Sequence, residues 1–247
     1  GGFAAGVAGP PVAGQTRLAL GDMDGDGDLD VATIGGADVR VFLQGAGGAL
    51  ALHASGADTV TGGALFDLVL VDRDRDGDLD VVVTDQGNVQ LRGLTNDGTG
   101  DLALGGTLAT TTPQRIAAAD VNRDGRADLL WTTSAGDGTE LKLALNDGVS
   151  AFYPAVSSGA VIGTGARHLA AVDLDREGRL DVVVVDEAAA QVNVVRGLGA
   201  TVAFANEAAS GAGLVGPTGP RELVAGDWDG DGGPDVVVIY TSGHLVV

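Results

Sequence analysis

One acidic motif occurs five times along this chain at nearly constant spacing, and it limits the possible fold more than any other feature. Each copy fits D-x-[DN]-x-[DE]-G-x-x-D, and successive copies begin 50, 48, 53 and 54 residues apart. The copies lie at 22–30, 72–80, 120–128, 173–181 and 227–235. Such a period is typical of a β-propeller or of another array of repeated units.

The spacing of oxygen-bearing side chains inside the motif predicts a calcium site. Calcium takes roughly six to eight oxygen ligands in irregular geometry. Side chains at loop positions 1, 3, 5 and 9 can surround one point, the glycine at position 6 permits a sharp turn, and position 7 offers its carbonyl. The predicted side-chain ligands are Asp22, Asp24, Asp26, Asp30, Asp72, Asp74, Asp76, Asp80, Asp120, Asn122, Asp124, Asp128, Asp173, Asp175, Glu177, Asp181, Asp227, Asp229, Asp231 and Asp235. The predicted carbonyl ligands belong to Asp28, Asp78, Arg126, Arg179 and Gly233.

The chain is thus predicted to bind up to five Ca²⁺ ions, although two loops depart from the common pattern. Asn122 removes one charge from the third loop. The longer side chain of Glu177 alters the fourth loop, which we expect to be the weakest site. The alternative is that the motifs are acidic turns without a metal, since Asp and Gly are ordinary turn residues. Five copies in phase favour the metal sites.

The residues around the loops indicate strands rather than the helices of an EF-hand. An EF-hand places a glutamate at position 12 of its loop. This chain has Thr33, Val83, Trp131, Val184 and Val238 at that position. Short runs rich in β-branched residues, such as 68–71 and 81–83, flank the loops and read as strands. Each loop is therefore predicted to join two strands.

The motif, its flanking strands and its period together resemble the FG-GAP/VCBS repeats, the calcium-loop β-propellers of integrin α-subunits and of many bacterial surface proteins. The Asn-Asp-Gly segments within 95–98 and 145–148 are similar to the hairpin that precedes the outer strand in that family. The Phe-Gly and Gly-Ala-Pro segments that give the family its name are poorly kept. The resemblance covers the whole chain and implies a calcium-stabilised propeller.

We predict an all-β fold in which residues 1–247 form a single five-bladed β-propeller with four antiparallel strands per blade. In the second repeat the strands are expected at 67–71, 80–84, 89–94 and 101–104. Counting from the fifth loop off the C-terminus and round to the first loop gives 42 residues, close to one period.

The two ends of the chain are expected to meet in the last blade. The segment 2–8 matches the predicted outer strands at 151–153 and 202–204, and the chain ends after two strands at 236–240 and 244–247. We therefore expect the N-terminal strand to complete the last blade and close the ring, which removes free sheet edges. The alternative is that the chain is a segment of a larger ring.

The net charge of −20 comes mainly from the motifs, which hold 21 of the 34 acidic residues. Without metal these carboxylates repel one another, so calcium is expected to stabilise the fold. An acidic chain lacks the basic surface that nucleic acids and anionic membranes require. No apolar run is long enough for insertion into a membrane.

Calcium loops of surface modules bind weakly and suit extracellular fluid, so a secreted or cell-surface location is predicted. No signal peptide is visible and the chain begins with glycine, which is expected of a mature or excised segment.

The sequence favours a module without enzymatic activity. No catalytic motif is present, and His53, His168 and His244 fall in different repeats. We therefore predict an adhesion, structural or protein-interaction module that meets a protein partner or joins a surface assembly. Carbohydrate binding is the alternative, and a polysaccharide-processing enzyme is the least favoured interpretation.

Trp228 is the aromatic residue singled out for contact with a ligand or partner, because loop position 2 is expected to point outward. The equivalent residues are Met23, Arg73, Val121 and Leu174. Since they differ in type, a ring of five identical sugar sites is not predicted.

Overall fold

The computed structural model describes residues 14–59, 63–134, 140–148, 155–162, 165–198, 203–206, 219–243 and 245–246. All regular structure in this part of the chain is β-strand. Among these residues there is no helix with the length and apolar character to cross a membrane. The predicted strand at 2–8 and the predicted outer-strand residues 151–153 lie outside the described residues.

The strands form five antiparallel sheets that follow one another in chain order. The first sheet contains β1 (Arg17–Gly21), β2 (Asp30–Gly35), β3 (Asp38–Gly45) and β4 (Ala49–Thr59). The second contains β5 (Leu65–Val71), β6 (Asp80–Asp85), β7 (Gln90–Asn96) and β8 (Leu102–Ala109). The third contains β9 (Pro113–Ala119), β10 (Asp128–Thr133), β11 (Glu140–Ala144) and β12 (Ala155–Val161). The fourth contains β13 (Ala166–Val172), β14 (Asp181–Asp186), β15 (Gln191–Leu198) and β16 (Ala203–Asn206). The fifth contains β17 (Pro220–Gly226), β18 (Asp235–Tyr240) and β19 (Leu245–Val246).

The predicted strands of the second repeat are confirmed to within a few residues, except that its outer strand β8 extends to Ala109. Every acidic loop joins the first strand of a sheet to the second strand, as predicted. The segment Asn96–Asp97–Gly98 begins with the last residue of β7 and continues into the turn before β8, where the hairpin was expected.

The second strand of a sheet is its most buried element. All six residues of β6 (DVVVTD), of β10 (DLLWTT) and of β14 (DVVVVD) are buried. Continuous apolar runs of this kind belong to strands that are covered on both faces. Each fully buried valine or leucine contributes about 1.5–3 kcal/mol to folding.

The chain divides into two compact units, one holding β1–β8 and the other β9–β19. In the first unit, one core cluster combines Ile34 and Val41 of the first sheet with Leu68 and Val83 of the second. In the second unit, one cluster joins the third sheet to the fourth, and another joins the fourth to the fifth. Neighbouring sheets within a unit therefore pack face to face.

The expectation that loop position 2 points outward is wrong for most loops. Met23 is 1% exposed and belongs to the core cluster of the first unit, and Arg73 is 3% exposed. Val121 and Leu174 pack against the two clusters of the second unit. Met23, Val121 and Leu174 point inward because they pack with the core clusters that join neighbouring sheets. The bond from the N–H of position 2 to the aspartate at position 9 occurs in all five loops, so it does not set the direction of the side chain. Trp228 alone is largely exposed, at 67%.

Two sheets expose apolar side chains that their counterparts in other sheets bury. Leu18 and Leu20 of the first sheet are 63% and 57% exposed. Their counterparts in the second sheet, Leu68 and Leu70, pack against the first sheet. In the fifth sheet, Val224 and Ile239 are also exposed, on the side where Trp228 stands. The register places Val224 and Ile239 on the side that, in the first and fourth sheets, faces the following sheet of the same unit.

Candidate metal centres

The backbone of each loop turns through two residues with positive φ, not one. Position 6 is a glycine in every loop, with φ between 81° and 101°, as the motif predicts. Position 4 is also left-handed, with φ between 58° and 78°, and is occupied by Gly25, Arg75, Arg123, Arg176 and Gly230. The motif leaves position 4 free, and only the glycines of the first and fifth loops pointed to this second turn.

The aspartate at position 1 organises the turn by accepting backbone N–H groups. In the first loop, the N–H of Gly25 donates to Asp22 Oδ1 at 2.8 Å, and the N–H of Gly27 donates to Asp22 Oδ2 at 2.9 Å. The fifth loop repeats both bonds through Asp227. Asp24 and Asp26 each accept the N–H two residues further on. These bonds point the carboxylates toward the inside of the loop.

The aspartate at position 9 has a structural role that the sequence did not suggest. Asp30 is fully buried, and its Oδ2 accepts the N–H of Met23 while its Oδ1 accepts the N–H of Gln44, both at 2.7 Å. The same two bonds join Asp80 to Arg73 and Asn96, Asp128 to Val121 and Asn146, and Asp181 to Leu174 and Gly197. Position 9 therefore fastens the loop to the end of the third strand.

Four loops bring three carboxylates together. In each group, one oxygen from every residue lies within 4.8 Å of the others. The groups are Asp22, Asp24 and Asp30; Asp72, Asp74 and Asp76; Asp173, Asp175 and Asp181; and Asp227, Asp229 and Asp235.

Other predicted ligands stand outside these groups. Asp26, Glu177 and Asp231 at position 5 are not part of them, nor is Asp80. No such group is found among the described residues of the third loop, where Asn122 replaces an acid. In that loop Asn122 Oδ1 accepts the N–H of Asp124 at 3.0 Å.

Burial and mutual repulsion disfavour the charged form of several loop acids. Burial raises the pKa of Asp80 to about 6 from its ordinary value of 3.8. The pKa of Asp128 is also raised, first by burial and then by the charges of Asp124 and Asp120. For Asp24 and Asp78 the pKa is raised by desolvation and then by neighbouring loop carboxylates. A cation within these loops would relieve that repulsion.

Arginines reach into the loops of the second unit. At position 7, Arg126 pairs with Asp124 and Arg179 pairs with Glu177. Arg176, in the fourth loop, places Nη2 2.5 Å from Oδ1 of Asp231 in the fifth loop. This contact and a backbone bond from Gly233 hold the pKa of Asp231 below its usual range, with the backbone bond the larger cause.

A side chain outside the motif ties two loops of the first unit together. The amide of Asn96 donates to the carbonyl of Met23 in the first loop at 2.8 Å and to the carbonyl of Leu79 in the second loop at 3.1 Å. Its Oδ1 accepts the N–H groups of Gly98 and Gly100. The predicted Asn-Asp-Gly hairpin therefore also links neighbouring loops.

The FG-GAP-like repeat family matches the chain over 22–83, 72–131 and 178–238, which together cover well over half of its length. The chain belongs to the FG-GAP repeat family. The matches run from one acidic loop, or from within it, into the second strand of the following sheet. They confirm the resemblance drawn from the sequence.

The fold of this FG-GAP chain is similar to that of a lectin from Agrocybe aegerita, solved to explain specific recognition of non-reducing terminal N-acetylglucosamine. The two share 17% sequence identity with a TM-score of 0.62, over 92% of this chain and 61% of the lectin. The chain thus spans about three-fifths of the length of that lectin, and at this identity the likeness concerns the fold alone. No curated protein matches the chain.

Proposed function

We propose that this FG-GAP chain is a calcium-binding β-propeller module that acts outside the cell without catalysis. The observation that carries the calcium proposal is the convergence of three carboxylates within 4.8 Å in each of four loops. Calcium bonds to oxygen are about 2.3–2.6 Å long, so two ligands on opposite sides of one ion stand about 5 Å apart. The spacing of the carboxylates fits that limit.

The chemistry of the loop acids also favours a hard divalent cation. Asp24 and Asp78 have pKa values raised partly by neighbouring carboxylates, so charge is crowded there. The first, second and fifth loops offer the strongest sites, with Asp22, Asp72 and Asp227 at position 1. The third loop offers Asn122 in place of one acid. The fourth loop differs, because an arginine lies among its carboxylates.

Thermal unfolding in excess calcium, in excess magnesium and in chelator tests the metal proposal. A ligand that binds only the folded state stabilises it by about 2.7 kcal/mol per site at a hundredfold excess over its dissociation constant. Several sites should raise the midpoint by many degrees in calcium and far less in magnesium, which keeps its water and demands octahedral geometry. Equal midpoints in calcium and chelator would mean that the loops are acidic turns.

The five sheets are proposed to be the blades of one five-bladed propeller over residues 1–247, closed by the N-terminal segment. Exposed apolar faces on the first and fifth sheets support closure, because the corresponding faces of neighbouring sheets within each unit are covered. Closure would stabilise the fold by about 25 cal/mol for each Å² of apolar surface removed from water. The side chains concerned are Leu18 and Leu20 on the first sheet and Val224 and Trp228 on the fifth.

Protein binding or surface assembly is the proposed role of the module, at the cell surface or in extracellular fluid. Weak calcium loops fill in extracellular fluid and stay empty in cytosol, so the metal would tie folding to that location. The acids that could serve as a catalytic pair converge within the loops, where they are proposed to hold calcium instead. This arrangement supports binding rather than catalysis.

Carbohydrate binding is the second candidate, favoured by the likeness to the Agrocybe aegerita lectin. Among the described aromatic side chains, Trp228 is the one that is largely exposed. The test is a titration of wild type and of Trp228→Ala with N-acetylglucosamine oligosaccharides, in which tryptophan fluorescence is the measured signal. A saturable change that disappears in the variant would favour the lectin, and no change in either protein would favour a protein partner.

A further inference from the structure

The fourth loop, 173–181, already contains a cation that belongs to the protein. Arg196 stands on β15, and its Nη1 lies 2.8 Å from Oδ2 of Asp181 and 3.4 Å from Oδ2 of Asp175. Asp175 and Asp181 are two of the three residues whose carboxylates converge in this loop. The guanidinium therefore stands where a bound metal would have to contact the same two side chains.

Among the first four sheets, only the fourth carries an arginine at the position of Arg196. Arg196 directly precedes Gly197, whose N–H donates to the position-9 aspartate of its loop at 3.0 Å. The residues that precede the equivalent donors in the first three sheets are Leu43, Thr95 and Leu145. Three other repeats thus carry an uncharged side chain at this point.

The rest of the loop is also neutralised from within. Arg179 pairs with Glu177 and donates from Nε to the carbonyl of Gly197 at 3.1 Å. The side chain of Asp181 is fully buried and that of Arg196 is 28% exposed, so their contact is largely shielded from solvent. Charge-assisted bonds of this kind are stronger than those between neutral groups.

We propose that the loop at 173–181 is a metal-independent member of the array, in which the guanidinium of Arg196 takes the place of calcium. A divalent cation cannot share Asp175 and Asp181 with this guanidinium without strong repulsion, since like charges at such distances oppose each other. The loop keeps its fold because Asp173 still accepts the N–H of Gly178 and Asp181 still accepts the N–H of Leu174. This inference rests on the proposed function, because it assumes that other loops do bind calcium.

Counting bound calcium ions by native mass spectrometry tests the inference. Compared with wild type, the single variant Asp173→Asn should bind the same number of ions. The matched variant Asp72→Asn, in the second loop, should bind one ion fewer. Arg196→Leu, which introduces the residue present at Leu43 and Leu145, should raise the number by one. The double variant Arg196→Leu/Asp173→Asn should lose that gain, which assigns the new ion to this loop.

The outcomes separate this inference from the calcium proposal. Loss of one ion in Asp173→Asn, or no gain in Arg196→Leu, would overturn the inference while leaving calcium binding elsewhere intact. If neither wild type nor Arg196→Leu binds calcium, both the proposed function and the inference fail. Should Arg196→Leu misfold, Arg196→Thr, which introduces the residue type of Thr95, replaces it in the same count.

Discussion

At the scale of single residues, the loop aspartates have different roles despite their shared motif. Asp76 is exposed and belongs to a carboxylate group, whereas Asp80 is buried and fastens its loop to the third strand through two backbone N–H groups. In the second loop, a substitution of Asp76 should therefore affect metal binding, and one of Asp80 should affect folding.

Asp76→Ala should lower the calcium stoichiometry by one and leave the other loops titrating. The reason is that Asp76 is one of the three converging acids of its loop. Calorimetric titration measures the number of sites, and Asp97→Ala, an exposed acid outside the motif, serves as the control. An unchanged calcium stoichiometry in Asp76→Ala would contradict the assignment of Asp76 as a ligand.

Asp80→Ala should lower the free energy of unfolding in chelator by about 2–4 kcal/mol, because the two buried N–H groups of Arg73 and Asn96 lose their acceptor. Asp76→Ala should cost less than about 1 kcal/mol under the same conditions, since surface changes are small. Urea unfolding in chelator measures both values. Equal costs would mean that position 9 acts through metal alone.

Arg75→Gly should stabilise the protein by about 0.5–1 kcal/mol. Arg75 has a φ of 68°. This left-handed conformation is unfavourable for any residue that has a Cβ, and glycine avoids that cost. Glycine loses more entropy on folding, which offsets part of the gain. Arg75→Ala removes the same side chain but keeps the Cβ, and it should bring no gain. Thermal unfolding in calcium compares the three proteins, and equal midpoints for the two variants would contradict the argument.

At the scale of elements, the loop–strand pairs could be predicted from the sequence because their determinants are local. Alternating acids, the glycine at position 6 and β-branched flanks gave the loops and strands to within a few residues. The pairing of Arg196 with the fourth loop could not be predicted, because it depends on the register between β14 and β15. The burial of Met23 likewise depends on how neighbouring sheets pack.

The buried carboxylates predict an unusual pH dependence for the metal-free protein. The pKa of Asp80 is raised by burial to about 6, so the folded state holds this proton more tightly than the unfolded state. Stability should therefore rise as pH falls from 7 toward 5 in chelator. Asp85 acts oppositely only below its ordinary pKa of 3.8, because hydrogen bonds from Asn88 and Ala64 outweigh burial and lower its pKa.

Urea unfolding at several pH values in chelator measures this trend. In excess calcium the trend should reverse, since protons and metal compete for the same oxygens. Asp80→Asn should flatten the rise in chelator. A stability that falls steadily from pH 7 to 5 in chelator would contradict the role given to the buried carboxylates.

At the scale of the whole molecule, the exposure of the side chain at loop position 2 differs between sheets, from 1% for Met23 to 67% for Trp228. Met23→Ala should cost about 2–4 kcal/mol, because Met23 is buried in the core of the first unit. Trp228→Ala should cost more than about 1 kcal/mol if closure of the ring covers the fifth sheet. Chemical unfolding of both variants in calcium measures the difference, and a neutral Trp228→Ala would argue for an open face.

The link made by Asn96 has a consequence for the proposed calcium sites of the first and second loops. The side chain of Asn96 donates a hydrogen bond to a carbonyl in each of two neighbouring loops, so ordering of either loop should help to order the other. Occupancy of the first site should then raise the affinity of the second, and reciprocally. Two sites coupled in this way would fill with calcium cooperatively, over a narrower range of concentration than two independent sites.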